Sequence, residues 1–281
     1  MTTMTTPHNA SNVPLVILVT GASRGLGEAI AGRLSRWATV YGTTRTDREL
    51  SGCQRLALDV TDSASVQRAV DQVLSTEGRI DVLINNAGTV LSGPGESTHD
   101  SDALRQLDVN FVGAMRMTNA VLPAMRSQRS GLILNISSMA AAVPLPFRSC
   151  YAASKAALEA WAWSLRLEVK PFGIGVSCLQ VGDCHTELSQ QSLAEFAHRS
   201  HAAYTKPFES AYRRYCADES HGMPPANLAQ RVEQIVRHPT ARIRFRQTAG
   251  PLSQRLLFAC RGVLPDWAIE SLIAGRYLQG R

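Results

Sequence analysis

The sequence lacks any hydrophobic segment long enough to cross a membrane, since its longest apolar run, residues 13–19, is interrupted by Pro14. A bilayer requires about 20 apolar residues, whereas this run has the length of a β-strand. The polar, Thr-rich residues 1–12 also lack the basic start and apolar centre of a secretory signal. We therefore expect residues 1–12 to be a disordered leader and the protein to be cytoplasmic.

The six cysteines form neither a Cys-x-x-Cys pair nor a short, evenly spaced set. In a chain of 281 residues without a secretory signal, this pattern favours free thiols in a reducing compartment over disulfide bonds. No cluster of histidine and cysteine has the spacing of metal ligands, so we predict no metal site. Lysine is scarce as well, with three in the whole chain, at positions 155, 170 and 206.

The net charge of +6 is confined to one part of the chain. Residues 1–188 hold 16 basic and 16 acidic side chains, whereas residues 189–281 hold 13 basic and 7 acidic ones. A solvated basic face is the favoured interpretation, with an anionic substrate or peripheral contact with a membrane as less favoured alternatives. No recognition motif accompanies the charge, so we predict no nucleic-acid binding.

Apolar segments of strand length alternate with segments of helical periodicity over the first two thirds of the chain. We predict strands at residues 13–20, 39–44, 55–60, 80–85, 131–138 and 173–180. This alternation predicts an α/β fold, a Rossmann-like, doubly wound parallel sheet with helices on both faces. The length favours a single catalytic domain over residues 13–281.

The first predicted strand runs into a glycine-rich turn, Thr-Gly-Ala-Ser-Arg-Gly-Leu-Gly at residues 20–27, and then into a helical pattern. In this context Gly21 allows the tight exit from the strand, Gly25 lets the backbone approach a pyrophosphate, and Gly27 lets the helix pack closely on the strand. The helix N-terminus adds free N–H groups and a positive dipole end. The turn therefore predicts a dinucleotide site.

The second predicted strand ends without an acidic residue. Folds that prefer NAD place a carboxylate there, on the ribose 2′-hydroxyl. This chain has Thr44 followed by Arg45, with Arg24 in the glycine turn. Because guanidinium groups bind a 2′-phosphate that a carboxylate would repel, we predict NADP as the cofactor and NAD as the weaker alternative.

Further polar residues follow the later strands, where ligands of such sheets bind. Asp59 ends the third strand and is suited to an adenine amine, and Asn-Asn-Ala-Gly follows the fourth at residues 85–88. Ser137 and Ser138 end the fifth, and only one of them can face the site because neighbouring strand residues point in opposite directions. A phenol and an amine, Tyr151 and Lys155, stand one turn apart on a predicted helix.

These motifs resemble the short-chain dehydrogenase/reductase family over residues 14–190. The resemblance rests on their order and on the thirteen positions from Ser138 to Tyr151, and it includes residues 20–27, Asp59, residues 85–88, Asn110, Ser138, Tyr151 and Lys155. It implies hydride transfer between a nicotinamide and a carbonyl or alcohol. Residues 242–246 and 264–267 resemble the steroid- and retinol-type subgroup less specifically.

The resemblance implies a catalytic set of four residues. Tyr151 would be the general acid or base, and Lys155 would favour its phenolate and hold the nicotinamide ribose. Ser138 would polarise the substrate oxygen, and Asn110 would hold a water that links Lys155 to solvent.

Motifs and resemblance together predict a cofactor site. After the sixth strand the family's Pro-Gly is replaced by Val181-Gly182, and the backbone amide of Cys184 should meet the nicotinamide carboxamide. The predicted cofactor residues are Gly21, Ser23, Arg24, Gly25, Leu26, Gly27, Arg45, Asp59, Val60, Asn86, Ala87, Gly88, Tyr151, Lys155, Cys184 and Thr186.

Residues 189–281 are predicted to be a variable substrate lid and C-terminal extension. Helices are expected at residues 228–236, 252–263 and 267–278, and an edge strand at residues 241–245. Seven residues, Leu193, Phe196, Ala197, Tyr204, Phe208, Tyr212 and Tyr215, either form a helical lid with an aromatic face or pack on the sheet.

The expected function is NADP-dependent hydride transfer to or from a bulky hydrophobic ketone or secondary alcohol, because an aromatic, Leu-rich lid favours an apolar pocket. A ketoreductase of a polyketide or aromatic intermediate and a non-catalytic NADP-binding sensor are the alternatives. We also expect a homo-oligomer, a homodimer in the simplest case, formed through apolar residues of two predicted helices: Phe111, Met115, Trp161, Trp163 and Leu167.

Overall fold

The computed structural model describes residues 13–50, 52–185, 201–237 and 243–278. These residues contain a sheet of seven parallel strands in the order β3-β2-β1-β4-β5-β6-β7. The strands, numbered along the chain, are β1 Val16–Val19, β2 Thr39–Thr44, β3 Gln54–Ala57, β4 Val82–Asn85, β5 Gly131–Ser138, β6 Ile174–Val181 and β7 Arg246–Ala249. The predicted doubly wound parallel sheet is confirmed.

Helices cover both faces of this sheet. In the described residues they are α1 Gly25–Leu34, α2 Ser63–Glu77, α3 Asp100–Leu107, α4 Gly113–Gln128, α5 Ser149–Val169, α6 Ala202–Ser220, α7 Pro225–Val236, α8 Leu252–Cys260 and α9 Asp266–Tyr277. None of them is long and apolar enough to cross a bilayer.

Two apolar cores enclose the sheet, one on each face. Alternate residues of β1 enter opposite cores, Leu18 with α2, α4 and α5, and Ile17 with α1 and α7. All four residues of β1 are buried, as are all four of β4. Strands covered on both faces read as continuous apolar runs, which is why the sequence pattern identified them.

The sequence predicts a single helix over residues 104–127, but in the structure this helix is interrupted. A π-helical segment, Asp108–Val112, separates α3 from α4, and Asn110 lies inside it. Periodicity of apolar residues does not reveal such a segment, because one extra residue per turn hardly changes the pattern.

The edge strand expected at residues 241–245 is wrong in position. The strand is β7, Arg246–Ala249, which pairs with β6 from Cys178 onward. Ile243 and Phe245 are buried in different cores before the strand begins, so their alternation with arginine resembles a half-solvated strand. Residues 241–242 lie outside the described residues.

The aromatic residues of α6 do not pack on the sheet. Phe208 and Tyr212 lie against Leu91, and Tyr215 lies against Tyr277 of α9 at 4.7 Å between ring centroids. The helix therefore covers loops beyond the carboxyl ends of the strands. Leu193, Phe196 and Ala197, like the predicted leader, lie outside the described residues.

Two glycines with left-handed backbone differ in the space that is available for a side chain. Gly78 and Gly173 have φ of 70° and 73°, where any other residue costs about 1–2 kcal/mol. A Cβ at Gly78 meets nothing within 4 Å, whereas a Cβ at Gly173 would overlap the carbonyl oxygen of Arg129. We expect Gly78→Ala to lower the free energy of unfolding by about 1 kcal/mol and Gly173→Ala by distinctly more.

Urea unfolding of both variants beside the wild type measures the difference. Gly78→Ala is the matched control for backbone strain, so equal losses in the two variants would show that the overlap with Arg129 relaxes at no cost.

Candidate active site

The glycine turn lies between β1 and α1, at the point where the strand order of the sheet reverses. Gly21 and Gly25 have φ of 68° and 59°, which favours glycine at both positions. A Cβ at Gly27 would overlap the carbonyl oxygen of Gly21. No side chain caps α1, so its first N–H groups are open to an anionic ligand.

Asn86 fixes this turn to the end of β4. Its Nδ2 donates to the carbonyl oxygens of Thr20 at 2.9 Å and Gly21 at 3.1 Å. In return, the hydroxyl oxygen of Thr20 accepts hydrogen bonds from the backbone N–H groups of Asn86 and Ala87, both at 2.9 Å. These reciprocal bonds hold the two strand ends in one geometry.

Asn85, the preceding residue, ties the sheet together from within. Its buried Nδ2 donates to Oδ1 of Asn135 on β5 at 2.9 Å and to the hydroxyl of Thr118 on α4 at 3.1 Å. The two amides of the Asn-Asn pair thus have different partners, one in the core and one in the turn.

Asp59 lies among positive charges beside the glycine turn. Burial alone would raise the pKa of its carboxyl, but hydrogen bonds from Thr61 and the charges of Arg45 and Arg116 outweigh burial and hold that pKa below its usual value. Asp59 is therefore an anion at neutral pH and an acceptor for an amine.

A cavity of about 1430 Å³ runs along the carboxyl ends of the strands. The chemistry of its walls fits a dinucleotide, with glycine backbone and a helix N-terminus at one end and arginines beside them. Thr186 lies outside the described residues. Every other predicted cofactor residue lines the cavity: Gly21, Ser23, Arg24, Gly25, Leu26, Gly27, Arg45, Asp59, Val60, Asn86, Ala87, Gly88, Tyr151, Lys155 and Cys184.

Tyr151 and Lys155 lie on the buried face of α5, and both line this cavity. The hydroxyl of Ser138 at the end of β5 lies close enough to the Tyr151 phenol to lower the pKa of that phenol. The Ser137 hydroxyl is instead engaged with α5, where it donates to Glu159 at 2.6 Å. The alternation along β5 therefore places Ser138, not Ser137, beside Tyr151.

The protonation of this pair is controlled mainly by burial. Burial raises the pKa of Tyr151, although the Ser138 hydroxyl and the Arg148 guanidinium oppose the rise. Burial also lowers the pKa of Lys155 to about 8, against the charges of Cys178 and Glu159. The lowering of the Tyr151 pKa that we expected from Lys155 is not seen in this geometry.

Lys155 Nζ lies 6.0 Å from the ring centroid of Tyr151 and donates to the carbonyl oxygen of Ile136 at 2.9 Å. A primary ammonium has three donors, so this bond leaves two for a ligand in the cavity.

Asn110 lies behind the cavity and joins three elements. Its Nδ2 donates to the carbonyl oxygen of Thr89 at 2.9 Å and to the Ser154 hydroxyl at 3.0 Å, and its Oδ1 accepts from the Thr89 N–H at 2.8 Å. Both amide hydrogens are thus engaged. A Cβ at Gly88 would lie 3.4 Å from Asn110 Oδ1 and 3.7 Å from Lys155 Nζ, so the two side chains meet around this glycine.

Glu159, which the sequence analysis overlooked, holds α5 against the sheet. This buried carboxylate accepts hydrogen bonds from Ser137 on β5 at 2.6 Å, Gln180 on β6 at 2.9 Å and Arg246 on β7 at 3.0 Å. The signal in the sequence was its position, four residues after Lys155 and hence on the same face of the helix.

The cavity changes character beyond Tyr151. One part of this region is polar, where Arg148 donates to Glu219 at 3.2 Å and stacks 3.9 Å from the Tyr215 ring centroid. The Asp183 carboxylate accepts from Gln254 nearby. The rest of the lining combines polar residues such as Arg105, Gln106 and Arg276 with a set of apolar ones: Val90, Leu91, Met139, Val143, Leu145, Leu257, Phe258, Leu272 and Ile273.

Comparison with known proteins identifies this arrangement. The family model described as short chain dehydrogenase matches residues 15–196. A 3-ketodihydrosphingosine reductase from Bacteroides thetaiotaomicron is 38% identical over 255 residues, which cover 90% of this chain and 94% of the relative. Human 17-beta-hydroxysteroid dehydrogenase type 1 is 39% identical over 197 residues, covering 63% of this chain and 59% of the relative.

Solved structures agree with the sequence matches. A short-chain dehydrogenase from Streptomyces avermitilis superposes with a TM-score of 0.78 and 29% identity, over 95% of this chain and 98% of that one. A metagenomic short-chain oxidoreductase in complex with NADP has a TM-score of 0.66 and 26% identity, over 85% of this chain and 98% of that one. This chain therefore belongs to the short-chain dehydrogenase/reductase family and is an oxidoreductase that acts on CH–OH groups.

Proposed function

We propose that the protein uses NADP(H) to interconvert a bulky hydrophobic ketone and its secondary alcohol, with Tyr151 as the general acid or base. The observation that carries this proposal is the meeting of Ser138, Tyr151 and Lys155 at the border between the polar, glycine-lined part of the cavity and its apolar part. A ketone carbon would there lie between a nicotinamide and the phenol.

In the direction of reduction, the cofactor when bound supplies the hydride to the carbonyl carbon. Ser138 is placed to donate a hydrogen bond to the carbonyl oxygen, which gains negative charge as the hydride arrives. Tyr151 then transfers its phenolic proton to that oxygen. The raised pKa of the buried phenol keeps this proton in place at neutral pH until it is needed.

Lys155 would have two roles in the reaction. Its remaining donors would bind the hydroxyls of the nicotinamide ribose, and its positive charge would stabilise the phenolate that remains after proton transfer. With Asn110 held beside Gly88 and Lys155, the protein has a polar route by which a water could return a proton.

The choice of NADP rests on arginines. Arg24 and Arg45 line the cavity beside the glycine turn, where a 2′-phosphate would lie. The related metagenomic oxidoreductase in complex with NADP supports the same assignment.

The choice of a hydrophobic substrate rests on the apolar walls beyond Tyr151 and on the relatives. The Bacteroides relative is named for the reduction of a long-chain ketone, 3-ketodihydrosphingosine, and it matches this chain over nearly the full length of both. The human relative is named for a hydroxysteroid. We infer that a ketone with a long alkyl chain fits this chain better, because the match to the first relative includes the C-terminal third.

We further infer a homodimer that pairs through α4 and α5. Trp163 and Leu167 are exposed on α5, while Trp161 is half-buried and contacts Phe111 at 6.2 Å between ring centroids. Met115 lies half-buried on α4. Large apolar side chains exposed on one helix are typical of a subunit interface.

Tyr151→Phe tests the assigned acid. We expect kcat to fall by about 10²–10⁴-fold, since the phenol hydrogen is the proton that is transferred, while the Kd for NADPH changes little. Steady-state assays and a fluorescence titration of NADPH measure the two effects. Tyr41→Phe is the matched control, because it removes another hydrogen-bonded phenol, bound to Glu77, outside the cavity. Turnover that survives in Tyr151→Phe would refute the mechanism.

Arg45→Asp tests the cofactor. We expect the KM for NADPH to rise by roughly 10–100-fold, because hydrogen bonds to charged groups contribute about 1.5–3 kcal/mol, while the KM for NADH stays the same or falls. Arg68→Asp makes the same change of charge on the exposed face of α2 and should alter neither value. A parallel rise for both cofactors would contradict a 2′-phosphate contact.

Lys155→Met tests the cost of burying the ammonium. The folded pKa of about 8 lies below the value of 10.5 for an unperturbed lysine, so the unfolded chain binds more protons between these values and Lys155 costs stability below pH 8. We expect the inactive variant to gain up to about 3 kcal/mol in free energy of unfolding at pH 7. The gain should shrink as the pH rises from 8 to 10.5.

Urea unfolding at several pH values measures this gain. Lys170→Met, at an exposed lysine, is the control and should show no such trend. A gain that does not depend on pH would mean that apolar packing, not the buried charge, is responsible.

A further inference from the structure

The C-terminal part of the described chain exposes an unusual amount of apolar surface. Ten large hydrophobic side chains are exposed in the described residues, and six of them lie between residues 252 and 278. We call residues 252–278, which comprise α8, the turn at residues 261–265, α9 and the residue after it, the apolar hairpin. The six large hydrophobic side chains that this segment exposes are Leu252, Leu256, Val263, Trp267, Leu272 and Leu278.

Packing within the chain does not explain these residues. No residue of α8 is buried, and Tyr277 is the buried residue of α9. The two most exposed of these side chains lie at and after the turn, where Val263 is 88% and Trp267 70% exposed. A water-facing helix pair would carry polar residues at such positions.

Polar contacts nevertheless hold the hairpin in place over the cavity. Gln254 of α8 bonds to Asp183, Arg261 donates to the carbonyl oxygen of Ala142 at 3.1 Å, and Arg276 of α9 bonds to Asp218 at 2.7 Å. These contacts fix the orientation of the exposed apolar face relative to the rest of the protein.

The opposite side of the same helices forms a wall of the substrate cavity. Leu257, Phe258 and Ile273 line it, and Leu272 both lines the cavity and is 55% exposed. Leu272 therefore connects the cavity lining to the exposed apolar surface of the hairpin.

We propose that the apolar hairpin is a docking surface for an anionic lipid bilayer, through which the apolar ketone enters the cavity. A bilayer would cover the apolar side chains and also contain the apolar substrate, which a second copy of this chain would not. Trp267 at the exposed end is the residue type that prefers the membrane interface.

The charge of this region is complementary to anionic lipid. The hairpin carries Arg255, Arg261 and Arg276 against Asp266 and Glu270, and Arg255 is exposed next to Leu256. All of the chain's positive excess lies after residue 188. Docking depends on these residues alone, whereas the entry of the ketone rests on the proposed function.

Co-sedimentation with vesicles tests the docking surface without any substrate. We expect the full-length protein to bind vesicles of phosphatidylcholine mixed with phosphatidylglycerol, and to bind pure phosphatidylcholine more weakly. A double variant, Val263→Asp with Trp267→Asp, should lower the partition coefficient by at least about tenfold, because both side chains would enter the interface. Leu104→Asp, at a leucine of α3 that is 65% exposed, is the control and should bind like the wild type.

Two results would overturn the proposal: no binding of the wild type to mixed vesicles, or equal binding by the double variant. A change from dimer to monomer in the double variant, seen by analytical ultracentrifugation with vesicle binding unchanged, would instead identify the hairpin as a subunit interface and likewise overturn it.

Activity assays separate this proposal from the function. With NADPH and a short, water-soluble ketone, the double variant should keep the wild-type kcat/KM within about twofold, since neither residue lines the cavity. With a long-chain ketone carried in mixed vesicles, it should lose about tenfold, in proportion to its lost binding. Vesicle binding by a wild-type protein that reduces no ketone would support docking and refute the proposed function.

Discussion

The active site depends on how α5 is held against the sheet, and a buried carboxylate does this. Glu159 accepts hydrogen bonds from three successive strands, β5, β6 and β7. A buried charge is tolerated only when its acceptor sites are filled, so the carboxylate keeps its position and the helix with it. Tyr151 lies two turns and Lys155 one turn before Glu159 on the same face, and their distance from Ser138 follows from this attachment.

A second set of contacts fixes the opposite wall. Asn86 joins the turn after β1 to the end of β4, and the absence of a Cβ at Gly27 lets α1 begin directly beside that turn. Both walls are therefore attached at the carboxyl ends of the same parallel strands. This shared attachment explains how residues as distant in sequence as Gly21 and Lys155 line a single cavity.

Beyond Tyr151, other elements of the chain form the walls of the cavity. The walls there come from loops, from α6 and from the apolar hairpin, which are held to the core by a few side-chain contacts such as Gln254 with Asp183. An apolar cavity wall next to an exposed apolar surface fits the proposed substrate, which is poorly soluble in water. The cavity wall and the surface are two sides of one pair of helices, so the proposed substrate choice and the proposed membrane docking depend on the same segment.

Much of the fold was determined by the sequence alone. Strands buried on both faces appear as apolar runs, and a glycine turn and a Tyr-x-x-x-Lys pair have spacings that local geometry makes meaningful. The serine before that pair was singled out by the resemblance to a family. Other features exist only in the folded chain. The bonds of Glu159 to Gln180 and Arg246 join residues far apart in sequence, and the edge strand begins at Arg246, not earlier, because Ile243 and Phe245 enter opposite cores. The burial that sets the pKa of Lys155 and Tyr151, and the side of the hairpin that faces water, were decided by packing between distant segments, which no local pattern encodes.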